Sequence, residues 1–158
     1  MIECESCGRK IEYCENKSLK GVGFDFPFNF MTEWYDYQNS FVSNIDLTKM
    51  IEQPVFKDMA DVYKVIVYKK KVLHSKDSEI LLFGDRVMIK NDKENLLFRF
   101  SETSAVTVLG RNKLNIYYDN EVYQFKGNKR FNALKYVNFF YRYNNIVKGE
   151  TDGKFLGI

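Results

Sequence analysis

Along residues 113–125 apolar and polar positions alternate. Leu114, Ile116 and Tyr118 are separated by Asn115 and Tyr117, and after Asp119 and Asn120 the chain returns with Tyr123 and Phe125 on one face. Two turn-forming residues between two β-rich runs predict a tight hairpin. The period then changes from two to about 3.6. Phe131, Ala133, Leu134, Tyr136, Val137, Phe139, Phe140, Tyr141 and Tyr143 cover most of a helix circumference, with Asn128 or Asn132 available as N-cap. Only Lys135, Asn138 and Arg142, spaced i, i+3, i+7, form a polar stripe, which is expected to face solvent. A helix this apolar needs cover on more than one side, and the strands before it are the expected cover.

Upstream, residues 61–73 (DVYKVIVYKKKVL) read as one strand, dense in β-branched and aromatic residues and too polar on both faces for a central position. Residues 79–83, a Gly84-Asp85 turn, 86–90, a polar turn at 91–95, 96–100 and 105–109 follow. With the hairpin this makes seven short strands closed by one helix, an α+β fold built on an antiparallel barrel. The ordering resembles that of pleckstrin-homology-like (GRAM-like) domains, in which a C-terminal helix plugs one open end of a strongly bent sheet. That likeness by itself implies no function.

Nearer the N-terminus, Phe24, Phe26, Phe28 and Phe30 alternate with Asp25, Pro27 and Asn29, predicting an extended segment with one aromatic face. Pro27 confines it to an edge or a non-strand path. The four rings are read as core packing, with a ligand slot as the less common alternative. From Met31, with Thr32 as the available N-cap, Trp34, Tyr37, Phe41, Val42 and Ile45 fall at helical spacing, and residues 51–59, containing Pro54, read as a connector. The expected organisation is a knuckle remnant over 1–25, the aromatic segment, helix and connector over 26–60, and the barrel domain over 61–158.

Cys4-Glu5-Ser6-Cys7-Gly8 has the form of a zinc knuckle, two thiols three residues apart with a glycine that lets the backbone fold back. A structural zinc wants four ligands, and ribbons supply a second Cys-x-x-Cys about 15–20 residues on. Here residues 19–24 read LKGVGF, glycines where thiols would stand. Two readings follow. In one, zinc is held by Cys4, Cys7 and Cys14, with Glu12, Glu15, His74 or water completing the set. In the other, the turn is a metal-free relic whose hairpin persists by packing. A redox Cys-x-x-Cys is disfavoured because the pair does not sit between a strand and a helix.

Composition narrows the function classes only modestly. Aromatic residues make up 16% of 158 residues with just 2 prolines, which favours a β-rich globular chain over disorder. A net charge of +3, from 24 basic against 21 acidic residues, does not announce nucleic acid. No apolar run approaches the roughly 20 residues of a membrane helix, and the N-terminus does not read as a signal peptide. The cysteine usage suits a reducing compartment, so a cytoplasmic location is expected, with peripheral association at the inner membrane face.

The Cys-x-x-Cys-Gly opening, Phe26-Pro27-Phe28, residues 33–38 (EWYDYQ), 68–71 (YKKK), Phe83-Gly84-Asp85-Arg86 and above all residues 104–138 together resemble the C-terminal extension of bacterial lysophosphatidate acyltransferase-type proteins. The resemblance implies a membrane-associated enzyme whose catalytic domain carries a His-x4-Asp motif, with His as base on the acceptor hydroxyl. In this chain the single histidine, His74, is followed five positions on by Glu79, so no catalytic residue carries over. What remains is a non-catalytic accessory module, a fragment or a stand-alone copy, whose expected partner is its own catalytic domain.

Independent of that resemblance, His74 has no recognisable nucleophile elbow to serve, and Gly110-Arg111-Asn112-Lys113 lacks the spacing of a phosphate-binding loop. The best surface candidate is Lys69, Lys70 and Lys71, with Lys64 and Lys76 nearby and Tyr63 and Tyr68 interleaved. Cations beside an anionic leaflet gain about 1 kcal/mol each, giving weak, salt-sensitive adhesion. The bland alternative is a charged edge that blocks strand-to-strand aggregation. Arg111 and Lys113, with Lys135 and Arg142 of the helix stripe, form a second candidate basic surface. The competing class is a protein-interaction or dimerisation module that uses the knuckle, the first helix and the last helix.

Overall fold

The computed structural model describes residues 1–4, 6–66, 70–91, 94–110, 112–147 and 149. The chain divides into two compact units, Met1–Ile45 and Asp46–Ile158.

The first unit is a small meander of β1 (Ile2–Glu3), β2 (Lys10–Tyr13) and β3 (Leu19–Gly21), followed by helix α1 (Met31–Asn44). Register is set by Glu3 opposite Lys10 and Tyr13 opposite Leu19, so the two connecting turns lie at opposite ends of β2. The aromatic segment alternates half-buried Phe24, Phe26 and Phe28 with exposed neighbours, as its period predicts. Its rings run onto the helix: Phe26 lies 5.3 Å from Trp34, Phe28 lies 5.0 Å from Tyr37, and Tyr37 lies 4.9 Å from Phe41. Helix α1 begins two residues earlier than Thr32 would allow as its cap. Phe30 is the N-cap, and the Glu33 carboxylate accepts the amides of Asn29 (2.7 Å) and Phe30 (3.2 Å). A carboxylate in the first turn satisfies two orphan amides and favours the positive end of the helix dipole, which a threonine inside the turn does not replace.

The second unit holds β4 (Phe56–Ile66), β5 (Lys70–Leu82), β6 (Arg86–Lys90), β7 (Leu96–Arg99), β8 (Thr103–Val108), β9 (Lys113–Tyr118), β10 (Glu121–Gly127) and α2 (Leu134–Val147). These seven strands form one antiparallel sheet in the order β7-β6-β5-β4-β10-β9-β8. The sheet curls until its two halves face each other and nearly close. Phe98 of β7 meets Tyr118 of β9 and Tyr123 and Phe125 of β10 at ring separations of 5.4, 4.9 and 5.8 Å. Val62, Ile80, Leu82, Val87, Ile89, Leu114, Ile116 and Phe125 fill the interior, each 1% exposed or less.

The 61–73 segment is corrected. Its first part ends β4 at Ile66 and its last part begins β5 at Lys70, with Ile66 opposite Lys70; residues 67–69 lie outside the described residues. Strand β4 starts at Phe56, inside the stretch read as connector. The β9–β10 hairpin is as expected, with Asp119 and Asn120 both at positive φ (50° and 58°). That is the backbone twist a two-residue hairpin requires.

Helix α2 follows the barrel and buries Tyr136, Val137, Phe139 and Phe140. Phe139 meets Phe56 at 5.9 Å, and Phe140 meets Phe100 at 5.6 Å. Neither candidate is the residue directly before the helix, which is Ala133, but both side chains bond the backbone leading into it. Asn132 Oδ1 accepts the Leu134 amide at 3.1 Å, and Asn128 Oδ1 accepts the Arg130 amide at 2.8 Å in the turn before. The polar stripe is corrected too. Lys135 is mostly covered and pairs with Asp58 Oδ2 at 2.5 Å, while Arg142 is half-buried with its Nε shielded. Among the described residues, no helix is long and apolar enough to cross a membrane.

Candidate functional site

The β4–β5 hairpin carries the lysine cluster. Strand β4 pairs with β5 on one side and β10 on the other, so Val65 stands between Lys71 and Val122. One row across the sheet runs Leu73, Tyr63, Gln124, Asn115. In an antiparallel sheet directly opposed residues share a face, as do residues two apart on one strand. Lys71 therefore shares the face of Tyr63 and Gln124. Its ammonium donates to Gln124 Oε1 at 3.2 Å and sits 4.2 Å from the centre of the Tyr63 ring. The Gln124 amide donates in turn to Asn115 Oδ1 at 3.1 Å. Because Lys71's partners among the described residues are a neutral amide and a ring face, its charge is steadied there without being cancelled.

Lys64 stands differently. It forms an ion pair with Glu121, and hydrogen bonding to that carboxylate raises its pKa above the ordinary lysine value. Its charge is thus balanced locally. Lys70 is exposed, as are Val72, Leu73, His74 and Lys76 along the same stretch of β5. Lys69 and Tyr68 lie outside the described residues, and so does Arg111. Lys113 opens β9, opposite Lys126, which itself faces Asp61. The row of Lys71 and Val65 runs through Val122 to Tyr117, near the other end of β9, four residues on from Lys113 at roughly 3.4 Å per residue. Lys113 therefore does not join Lys70 and Lys71. Lys135, tied to Asp58 under α2, belongs to neither group.

The cysteine turn is well formed. Gly8 takes a positive φ of 68°, its amide donates to Cys4 O at 2.8 Å, and the Cys4 amide donates to Arg9 O at 2.9 Å. Cys4 and Cys7 are exposed. Cys14 opens the turn at the far end of β2, where its amide donates to Ser18 O at 2.9 Å. The structure thus brings Cys4 and Cys7 together and leaves Cys14 a strand's length away. Among the described residues, no three Cys, His, Asp or Glu side chains stand as a metal-holding group. Beside the Cys4–Cys7 turn is the Gly21–Phe24 turn, where the Val22 amide donates to Lys10 O at 2.9 Å and the Arg9 guanidinium lies 5.1 Å from the centre of the Phe24 ring.

Phe83-Gly84-Asp85-Arg86 was singled out in the sequence without a role. It is a clasp. The Gly84 amide donates to Met50 O at 2.9 Å, and Arg86 donates to Asp85 Oδ1 (2.7 Å) and Ile51 O (2.9 Å) while lying 4.1 Å from the centre of the Phe83 ring. These bonds hold the 3₁₀ turn Leu47–Met50 against the β5–β6 turn. The motif is accounted for by architecture.

The class these observations define is an α+β chain with a nearly closed seven-stranded antiparallel sheet and a helix after it. Compared with family models and with curated proteins, the sequence matches none.

Proposed function

We propose that the chain is a non-catalytic, pleckstrin-homology-like accessory module of a phospholipid-biosynthetic acyltransferase that contacts anionic lipid weakly and positions its catalytic partner. The observation that carries this reading is a strand order in which the first and last strands of the sheet, β4 and β10, pair at its centre, with α2 following and uncancelled cations on the β4–β5 hairpin. Lys70 and Lys71 carry the lipid contact in this reading, with Val72 and Leu73, about half exposed, as apolar neighbours; Lys69 lies outside the described residues, and Lys113 stands apart on β9. A cation next to exposed aliphatic surface suits a leaflet interface, where headgroup and acyl chain meet.

The test is co-sedimentation of the full chain with vesicles of phosphatidylcholine alone or mixed with phosphatidylserine, at low and at physiological salt. Binding to the anionic vesicles that weakens with salt supports the reading. Equal sedimentation with both vesicle types, or binding unchanged in the Lys69→Glu/Lys70→Glu/Lys71→Glu variant, overturns it. A second reading, a protein-interaction module, draws on α1, which buries no residue and leaves Tyr37 and Phe41 51% and 55% exposed. Light scattering separates the two, since a stable dimer without vesicle affinity favours interaction.

A further inference from the structure

We propose that Cys4 and Cys7 are half of a zinc site completed by the same two cysteines of a second copy of this chain. The idea is independent of the lipid reading. The half that is present has the backbone of a knuckle: Gly8 is left-handed, the Gly8 amide donates to Cys4 O and the Cys4 amide to Arg9 O, and Cys4 and Cys7 are both exposed residues. The half that is missing has a definite place. Strand β3 returns the chain to the Lys10 end of β2, so a second knuckle in the same chain would fall at residues 21–24. Those positions are Gly21, Val22, Gly23 and Phe24, none of them a ligand type, and Phe24 there meets Arg9. Cys14 cannot substitute, because β2 separates the two turns.

Zinc with two thiolates keeps open positions, and four thiolates close a structural site. A second copy supplies an identical, preformed pair by two-fold symmetry, which is the commonest way a chain associates with itself. Local charge permits the approach. A zinc tetrathiolate carries two net negative charges, and each copy brings Arg9 next to its turn, with Lys10 shared by Glu3 at 3.8 Å. Four thiols release four protons to solvent as one ion is bound, so uptake weakens as pH falls.

The experiment titrates the full chain, kept reduced with a phosphine, with zinc chloride, and follows it by native mass spectrometry and light scattering. One zinc per two chains, a doubled mass, and a tetrahedral thiolate spectrum with Co²⁺ as probe are expected. Cys7→Ser should lose both metal and dimer with an unchanged circular dichroism spectrum, while Cys14→Ser keeps both. One zinc per monomer, loss of zinc in Cys14→Ser, a zinc-dependent dimer that survives Cys7→Ser, or no uptake by the reduced chain would each overturn the proposal.

Discussion

Asp58 Oδ2 on β4 accepts hydrogen bonds from the Tyr136 hydroxyl and the Lys135 ammonium of α2, each at 2.5 Å. The two donors are consecutive on the helix, about 100° apart around its axis. One oxygen that binds both fixes the helix against rotation and sliding at once. The carboxylate and the ammonium are each less than a fifth exposed (19% and 18%), and the Tyr136 side chain is fully buried. Lys135 also lies 4.8 Å from the centre of the Phe56 ring. A buried charge is tolerated here because its partners are in place, and removing one partner should cost more than the pair contributes.

Asp58→Ala should destabilise the chain by about 2–4 kcal/mol, because it leaves a mostly covered cation and a buried hydroxyl without their shared acceptor. Tyr136→Phe should cost about 1.5–3 kcal/mol, the range for a hydrogen bond to a charged group. Urea denaturation measures both, and the double variant should fall well short of the sum.

Burial, and then the bond to Asp58, push the Tyr136 phenol far above its ordinary value. An unfolded tyrosine titrates near pH 10, so the folded chain holds a proton that the unfolded chain releases. The stabilisation is complete below about pH 10 and is lost as pH rises, by about 1.4 kcal/mol per pH unit for one proton. Tyr118, raised by its bond to Glu102, and Tyr123, raised by burial, act in the same direction. The decisive comparison is therefore the alkaline slope of wild type against Tyr136→Phe, which should be shallower by about one proton.

Gly84→Ala places a methyl group 2.3 Å from the Leu47 carbonyl oxygen, a backbone atom that cannot step aside alone. Overpacking of this kind costs about 1–3 kcal/mol. Hydrogen exchange should also show faster exchange of the residue 84 amide, whose acceptor is Met50 O.

At the β9–β10 turn, Asn120 holds a φ of 58°. Asn120→Gly relieves that conformation and should raise the melting temperature, whereas Asn120→Val should lower stability by about 1–2 kcal/mol. Equal effects from both variants would mean the turn does not set the hairpin register.

The two lysine positions separated by β9 should behave differently on anionic vesicles. Lys70→Glu should weaken sedimentation several-fold, and Lys113→Glu should leave it nearly unchanged. A uniform loss would point to overall charge and not to the hairpin.

The Asp119-Asn120 hairpin could be read from the sequence because its signal is local: two residues that tolerate positive φ between two alternating runs. The β4–β5 turn could not. Residues 62–73 (VYKVIVYKKKVL) contain no glycine, proline, asparagine or aspartate to mark a reversal, so two strands read as one. The cysteine turn was equally local, since Gly8 supplies the left-handed residue that Cys-x-x-Cys needs. Whether Cys14 belongs with it depends on which end of β2 each turn occupies, a matter of strand register.

By itself the sequence determined the periods, the turn chemistry and the amount of apolar surface, and hence an antiparallel, strand-rich body followed by a strongly apolar helix; the boundary between β4 and β5 was not among these, since residues 61–73 span both and 79–83 belongs to β5. Those are properties of neighbours along the chain. Only the tertiary structure decided that Lys135 is mostly covered and paired with Asp58, that Lys71 leans on Tyr63 and Gln124, and that Lys113 stands apart from them. Each of those outcomes depends on pairing between residues far apart in sequence, 78 positions for Asp58 and Tyr136. A lysine on a helix stripe and a lysine on a strand look alike until the facing element is known.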